Sequence, residues 1–167
     1  MALLKLVFFP DPRLRKITEL VTNIDSSIHK IVEDMYETMY AEKGVGLAAN
    51  QVGIQLRIFV MDVSEHQNQK ICAINPELIS TADKAVDFEG CLSYPGIFEK
   101  VERAAKVRFK ALDINGKPYE MEGDGLFAKC VQHEIDHLNG MLFVDHLSRL
   151  KQERARKKLE KQRRQAL

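Results

Sequence analysis

The spacing of apolar residues along the chain predicts a small set of helices and strands. Apolar residues recur at helical spacing from Ile28 to Met39, behind three candidate N-cap residues at 25–27. Glycine follows at Gly44, so we predict a first helix that ends near Glu42.

Several strands are predicted in the middle of the chain. Residues 57–63 and 71–75 are short apolar runs typical of buried strands, and the proline after the second run is expected to close it. Residues 105–114 alternate charged and apolar side chains, as in a strand with one exposed face. Asn115-Gly116 favours a tight type I′ turn, so we expect 119–121 to pair back as a hairpin.

Two more helices are predicted near the C-terminus. One begins after Asp124, a candidate N-cap, and runs to about Leu138, before Gly140. The other follows Ser148 and consists mostly of charged residues. The order helix, strands, helix, helix predicts an α+β fold, with small antiparallel sheets packed around the central helix and a charged helix at the C-terminus.

Composition and charge limit the classes of protein that remain. Of 167 residues, 45% are hydrophobic and 29% are charged, which is typical of a globular domain, and no apolar run approaches the ~18 residues of a membrane span. The total formal charge is only +1. Nine basic and two acidic residues give 148–167 a charge of +7, which leaves −6 for 1–147. We therefore predict a catalytic domain over 1–147 and a basic helical extension over 148–167 that meets a different partner.

The three cysteines, Cys72, Cys91 and Cys130, are too few and too scattered for a disulfide framework. They favour a reducing, cytoplasmic location in which a particular cysteine serves as a thiolate.

The segment His133-Glu134-Ile135-Asp136-His137 is the strongest chemical signal in the chain. Histidines at positions i and i+4 project from one face of a helix, so both imidazoles can reach a single metal ion. Glu134 lies roughly 100° around the helix from His133, where it can take a proton from water activated by that ion. Leu126, Cys130, His133 and His137 share one stripe that we expect to face inward. The simplest role for Asp136 is an ion pair with a basic residue such as Arg103.

A catalytic site of this kind needs a third protein ligand. The extended zinc-peptidase pattern would place a histidine where Phe143 stands, and His146 is a weaker candidate. Cys130 is poorly placed on the same helix, and Cys72 is expected to be a small core residue. Cys91 follows Gly90, which permits close backbone approach, so Cys91 is the best third ligand.

Three segments together resemble the signature motifs of the bacterial peptide deformylases. They are Gly44-Val45-Gly46-Leu47-Ala48-Ala49-Asn50-Gln51, Glu89-Gly90-Cys91-Leu92-Ser93 and Gln132-His133-Glu134-Ile135-Asp136-His137-Leu138. Their order and separation match as well, and the resemblance covers nearly the whole chain. It implies an enzyme in which activated water hydrolyses the N-formyl group of formyl-methionine on newly made polypeptides and releases formate.

The resemblance also implies roles for single residues. Cys91, His133 and His137 would bind the metal, and Glu134 would be the general acid and base. The Gln51 side chain and the Leu92 backbone N–H would stabilise the oxyanion, and Gly46 would hydrogen-bond the substrate backbone. Four residues are expected to bind substrate. Val45, Leu126 and Cys130 would line a slot for methionine next to the metal helix, and Gly90 would allow the substrate to approach closely.

The family implies Fe²⁺ as the cofactor, with Zn²⁺, Ni²⁺ or Co²⁺ as alternatives, whereas the ligand types alone would favour zinc. Phe98 stands where an arginine is frequent in the family, and Lys129 where an aliphatic residue is common. These departures leave the preference beyond the first substrate residue open.

Two other functions are alternatives to this one, a zinc peptidase and a nucleic-acid-binding module. A zinc peptidase that cuts internal peptide bonds is disfavoured because the downstream ligand is missing. A nucleic-acid-binding module is suggested by the +7 tail, but the rest of the chain is acidic, and neither DNA nor a membrane is expected as a partner. The expected partners are N-formyl-Met nascent chains and, through the basic C-terminal helix, the ribosome.

Overall fold

The computed structural model describes residues 2–165. The first helix, α1, spans Ser26–Ala41, and the Asp25 side chain caps it by accepting hydrogen bonds from the backbone N–H groups of Ser27 and Ile28. Its C-cap is Glu42. The helix predicted from the apolar spacing is therefore confirmed at both ends.

Five strands form one antiparallel sheet in which each strand pairs with the next along the chain. The strands are β1 (Gly46–Ala48), β2 (Ile58–Met61), β3 (Ile71–Cys91), β4 (Tyr94–Leu112) and β5 (Pro118–Asp124). The long β3–β4 hairpin reaches well beyond the alternating segment seen in the sequence. Residues 77–88 of β3 are exposed on both faces, so they carry no apolar alternation from which a strand could be predicted. The strands thus join in a single sheet where several small ones were expected.

The strand predicted to close at Pro76 continues through it, so that prediction is wrong. The β3–β4 register shifts between Ile74 and Glu77, and Asn75 in this bulge has a φ of 53°. The Asn75 side chain accepts a hydrogen bond from the Val21 backbone N–H and donates one to the Val21 carbonyl. Because a bulge takes a residue out of the regular ladder, the missing N–H of proline costs little there.

The predicted β4–β5 hairpin is confirmed, but its turn is not of type I′. Only Gly116, with a φ of 80°, has the left-handed backbone that a type I′ turn requires at two positions. The Asp113 carboxylate closes the turn by accepting hydrogen bonds from the backbone N–H groups of Asn115 and Lys117.

Helix α2 spans Gly125–Leu138 and contacts β1, β2, β4 and β5. Its Val131 shares a core with Phe59 of β2 and Phe109 of β4, whereas α1 packs against β1 and β2 in a second core. This arrangement of one sheet around a central helix confirms the α+β prediction.

The last helix, α3, spans Arg149–Gln165, and the Ser148 hydroxyl accepts a hydrogen bond from the Lys151 backbone N–H. Although the helix is mostly charged, Ala155 and Leu159 are buried in a third core beside Tyr94. The last two residues of the predicted 148–167 extension, 166 and 167, lie outside the described residues. Over the described part of the chain, no helix is long and apolar enough to cross a membrane.

Candidate metal centre

Helix α2 and the end of β3 bring two histidines and a cysteine together. His133 and His137 lie one turn apart with ring centroids separated by 4.9 Å, and Cys91 is the last residue of β3. One donor atom from each of the three lies within 4.8 Å of the others. The Cys91 Sγ is 3.2 Å from the His137 Nε2. The three predicted ligands therefore face one point.

The chemistry of these donors fits a divalent ion such as zinc or iron. Two imidazoles and a thiolate suit borderline metals and leave coordination positions free. Burial keeps the pKa of His137 well below its usual value, so the ring is neutral and its lone pair is available. The His133 Nδ1 lies 2.9 Å from the Glu89 carboxylate and donates to it, which leaves the Nε2 of that ring for a metal.

A buried charged network holds His133 in place. The Arg103 guanidinium donates to both carboxylate oxygens of Glu89, at 2.6 and 3.0 Å, and to Asp136 at 2.8 Å. Although burial opposes ionisation, hydrogen bonds from His133 and Arg103 lower the pKa of Glu89 to about 2. The predicted Arg103–Asp136 pair is confirmed, and His146 contacts Asp136 and not the ligand group.

Glu134 lies beside the three ligands with one oxygen unpaired. The residue is 4% exposed, and within the described part of the chain its Oε1 has no hydrogen-bond partner. Burial raises the pKa of Glu134 to about 7. A carboxyl group that titrates near neutral pH can both accept and donate a proton, as general acid–base catalysis requires.

Gly46 brings the backbone of β1 against this carboxylate. A Cβ atom at position 46 would come within 2.6 Å of the Glu134 Oε2 and 2.7 Å of the Cys130 Sγ. A side chain at this position would force the Glu134 carboxylate and the Cys130 thiol to move, which is why glycine stands here.

Gln51 is buried in a short 3-10 helix, Ala49–Val52, opposite Cys91. Its Oε1 accepts a hydrogen bond from the Ala48 backbone N–H. Its Nε2 donates to the Ser93 hydroxyl at 3.1 Å and lies 3.6 Å from the Cys91 Sγ. The side-chain N–H groups of Gln51 are thus directed at the ligand group.

The ligands open into a cleft of about 750 Å³. Its lining includes all the residues predicted to bind substrate or oxyanion: Gly46, Gln51, Leu92, Val45, Gly90, Leu126 and Cys130. Leu126 was expected on an inward stripe but is 43% exposed, because it lies at the cleft mouth, whereas Cys130 and His137 are buried. Cys72 is half-buried in the core of α1, away from the ligands, as predicted.

Comparisons with known proteins agree with this geometry. A family model described as polypeptide deformylase matches residues 3–153. Peptide deformylases from Azotobacter vinelandii and Stutzerimonas stutzeri are 52% and 54% identical, each over 99% of both chains. A crystal structure of a peptide deformylase from Legionella pneumophila is 49% identical, covers 98% of this chain and 97% of its own, and superimposes with a TM-score of 0.95. One from Ehrlichia chaffeensis in complex with actinonin is 42% identical, with coverages of 97% and 98% and a TM-score of 0.93.

Proposed function

The chain belongs to the polypeptide deformylase family, and we propose how the residues around its metal centre carry out the reaction. It is a metal-dependent hydrolase that removes the formyl group from N-formylmethionine at the start of new polypeptides. The observation that carries the residue assignments is the convergence of Cys91, His133 and His137 beside the unpaired carboxylate of Glu134.

Cys91, His133 and His137 are proposed to hold one divalent ion. Such an ion supplies a Lewis acid that polarises the formyl oxygen and makes water nucleophilic at neutral pH. Glu89 supports this set through its contact with the His133 Nδ1, which fixes the orientation of the ring.

Glu134 is proposed to move the proton. Its carboxylate takes a proton from the attacking water and returns it to the amine that leaves. A pKa raised to about 7 by burial suits both steps, and the unpaired Oε1 is free to accept the proton.

The Gln51 side chain and the Leu92 backbone N–H are proposed to stabilise the charge that develops on the formyl oxygen. The Gln51 amide is held by Ala48 and Ser93 before substrate binds, so it needs no reorganisation. A donor preorganised in this way typically contributes about 3–4 kcal/mol to the transition state.

The cleft around these groups is proposed to bind the methionine. Val45, Leu126 and Cys130 supply apolar surface, and the backbones of Gly46 and Gly90 allow the peptide to approach closely. A formyl carbon carries only hydrogen beyond its amide, so a narrow site admits it and excludes acetyl.

Elemental analysis together with formate release tests these assignments. We expect Cys91→Ala to lose the metal and release no formate from formyl-Met peptides, and Cys130→Ala to keep one ion per chain. Loss of the metal in Cys130→Ala with retention in Cys91→Ala would overturn the ligand set. Casein should remain uncut, whereas a zinc peptidase that cuts internal peptide bonds would cleave it.

The ion itself is proposed to be Fe²⁺, from the family resemblance, in a reducing cytoplasmic compartment that suits the three free cysteines. A thiolate ligand next to iron is open to oxidation, so activity should decay in air. Enzyme reconstituted with nickel should decay more slowly, and equal half-lives with and without oxygen would count against iron.

The basic helix α3 is proposed to dock on the ribosome, where nascent chains emerge. The support is its charge, because residues 148–167 carry +7 while the rest of the chain is acidic. Contacts with phosphates release counterions, so ribosome binding should weaken steeply as salt rises. Truncation at Ser148 would also remove the buried Leu159, so substitution of exposed lysines is the cleaner test.

A further inference from the structure

Two phenylalanines lie exposed at the cleft mouth, on the hairpin that carries Cys91. Phe88 is 56% exposed and Phe98 is 68% exposed. Phe88 pairs with Lys100 across the β3–β4 ladder, and residues opposite each other in such a ladder share one face. The Phe98 ring covers Gly90, where an added Cβ would meet the ring Cδ1 at 2.6 Å. Both rings therefore belong to one surface beside the metal ligand.

These rings are part of a larger apolar rim. Phe8, Val45 and Leu126 are also between 41% and 48% exposed, and all five side chains line the same cleft. Single exposed apolar residues are ordinary, but a contiguous exposed apolar patch marks a binding surface. Cys91, His133 and Glu134 line the same cleft, so a substrate whose reacting group reaches them must pass the rim.

Polar contacts hold the Phe88 side of the rim in place. The Lys129 ammonium donates to the Phe88 carbonyl at 3.0 Å and to Asp87 at 3.1 Å, which ties β3 to helix α2. The Lys100 ammonium lies 5.6 Å from the centre of the Phe88 ring. A surface that is fixed before the ligand arrives loses less entropy on binding.

We infer that Phe88 and Phe98 form a specificity surface that favours aromatic or large aliphatic side chains at the second and third residues of the formylated polypeptide. This inference rests on the proposed function, because the proposed position of the formyl group next to Glu134 directs those residues to the rim. Ring packing and removal of apolar area from water both favour such side chains over alanine or serine.

Turnover of matched peptides tests the inference. Formyl-Met-Phe-Ser should be used with a kcat/KM about 10-fold above that of formyl-Met-Ala-Ser, since a largely buried ring is worth about one decade of affinity. In Phe88→Ala/Phe98→Ala the ratio should fall to about twofold or less. Leu78→Ala/Val86→Ala is the matched control, because both residues are exposed on β3 but neither lines the cleft. It should keep the wild-type ratio.

Calorimetric titration with the deformylated products Met-Phe-Ser and Met-Ala-Ser provides a second readout that needs no turnover. Tighter binding of Met-Phe-Ser than of Met-Ala-Ser, lost in the double variant, supports the inference. This holds even if no formyl peptide releases formate, because the absence of formate release would overturn only the proposed function. Equal kcat/KM values for the two formyl peptides in the wild type overturn the inference alone. The inference is also overturned if the rim instead pairs two copies of the chain. In that case the wild type would be a dimer, and Phe88→Ala/Phe98→Ala would be a monomer with an unchanged peptide preference.

Discussion

Helices α2 and α3 have similar lengths and opposite environments. Seven of the 14 residues of α2 are buried, and three of these, Cys130, Glu134 and His137, are ionisable. Of the 17 residues of α3 only Ala155 and Leu159 are buried, and its charged residues lie in solvent. Helix α2 therefore buries a few ionisable groups at defined positions, whereas α3 exposes many charged groups to solvent.

This difference determines how each charge can act. In a buried environment with a low dielectric constant, the presence or absence of a charged partner changes a pKa strongly. Burial raises the pKa of Glu134 to about 7, whereas hydrogen bonds from His133 and Arg103 lower that of Glu89 to about 2. In water, single charges are screened within about 8–10 Å and act mainly through their sum. Substitutions in the two helices should therefore differ in both the size and the kind of effect.

The largest effect is expected at Glu134. Glu134→Gln should keep the metal but lower kcat by about 10²–10⁴-fold, because an amide cannot accept the proton of the attacking water. Formate release and elemental analysis of the same preparation measure both quantities. Retention of more than about a tenth of the wild-type kcat would show that another group serves as the base.

Substitution in the charged network of Arg103, Glu89 and Asp136 should mainly lower the stability of the protein. Arg103→Met removes the guanidinium that pairs with buried Glu89 and half-buried Asp136, and leaves each carboxylate only a histidine partner, so we expect the free energy of unfolding to fall by about 3–5 kcal/mol. Denaturant unfolding of the metal-free chain measures this loss. Arg108→Met is the control on the same strand, since Arg108 pairs with exposed Glu120 and such pairs contribute about 1 kcal/mol or less. Equal losses in the two variants would contradict the importance of burial.

Local sequence patterns were sufficient to predict the helices and the ligand group. The apolar period and the caps at Asp25 and Ser148 are signals within one turn of the chain, and His133 and His137 lie on one helix. Cys91 was predicted because of the glycine before it. The helices and the histidine pair depend on neighbours along the sequence, whereas the meeting of Cys91 with that pair depends on how β3 lies against α2.

Features that depend on distant pairing could not be predicted. The continuation of β3 past Pro76 requires the bulge at Asn75, whose side chain is held by Val21. Glu89 was quoted within a motif without a role, because its contact with His133 exists only once β3 lies against α2. The rim formed by Phe88 and Phe98 likewise requires the hairpin to stand at the cleft.

A smaller effect is expected at the apolar contacts of α3. Leu159→Ala removes a side chain that is 3% exposed and packs in the third core, so the free energy of unfolding should fall by about 2–4 kcal/mol. Leu150→Ala, on the same helix at 62% exposure, should change it by no more than about 0.5 kcal/mol. Thermal or denaturant unfolding compares the two. A similar cost for both would show that α3 is not anchored through Leu159.

The smallest effects on stability and catalysis are expected from the exposed charges of α3. Lys157, Lys158 and Lys161 are exposed and contact none of the proposed catalytic groups. Replacing all three by glutamine should change the free energy of unfolding by about 0.5 kcal/mol at most, and kcat/KM on a short formyl-Met peptide by less than about threefold.

The same triple variant should nevertheless lose ribosome binding, because the +7 charge of the tail acts as a sum. Each lost phosphate contact should also lower, by about one unit, the slope of log binding constant against log salt concentration. Co-sedimentation with ribosomes over a series of salt concentrations measures the slope directly. Lys84, Lys106 and Lys110 are exposed on the β3–β4 hairpin, so glutamine at all three gives the same change in net charge elsewhere on the molecule. If this control weakens binding as much as the tail variant, net charge and not α3 carries the attraction, and the docking role of the helix is wrong.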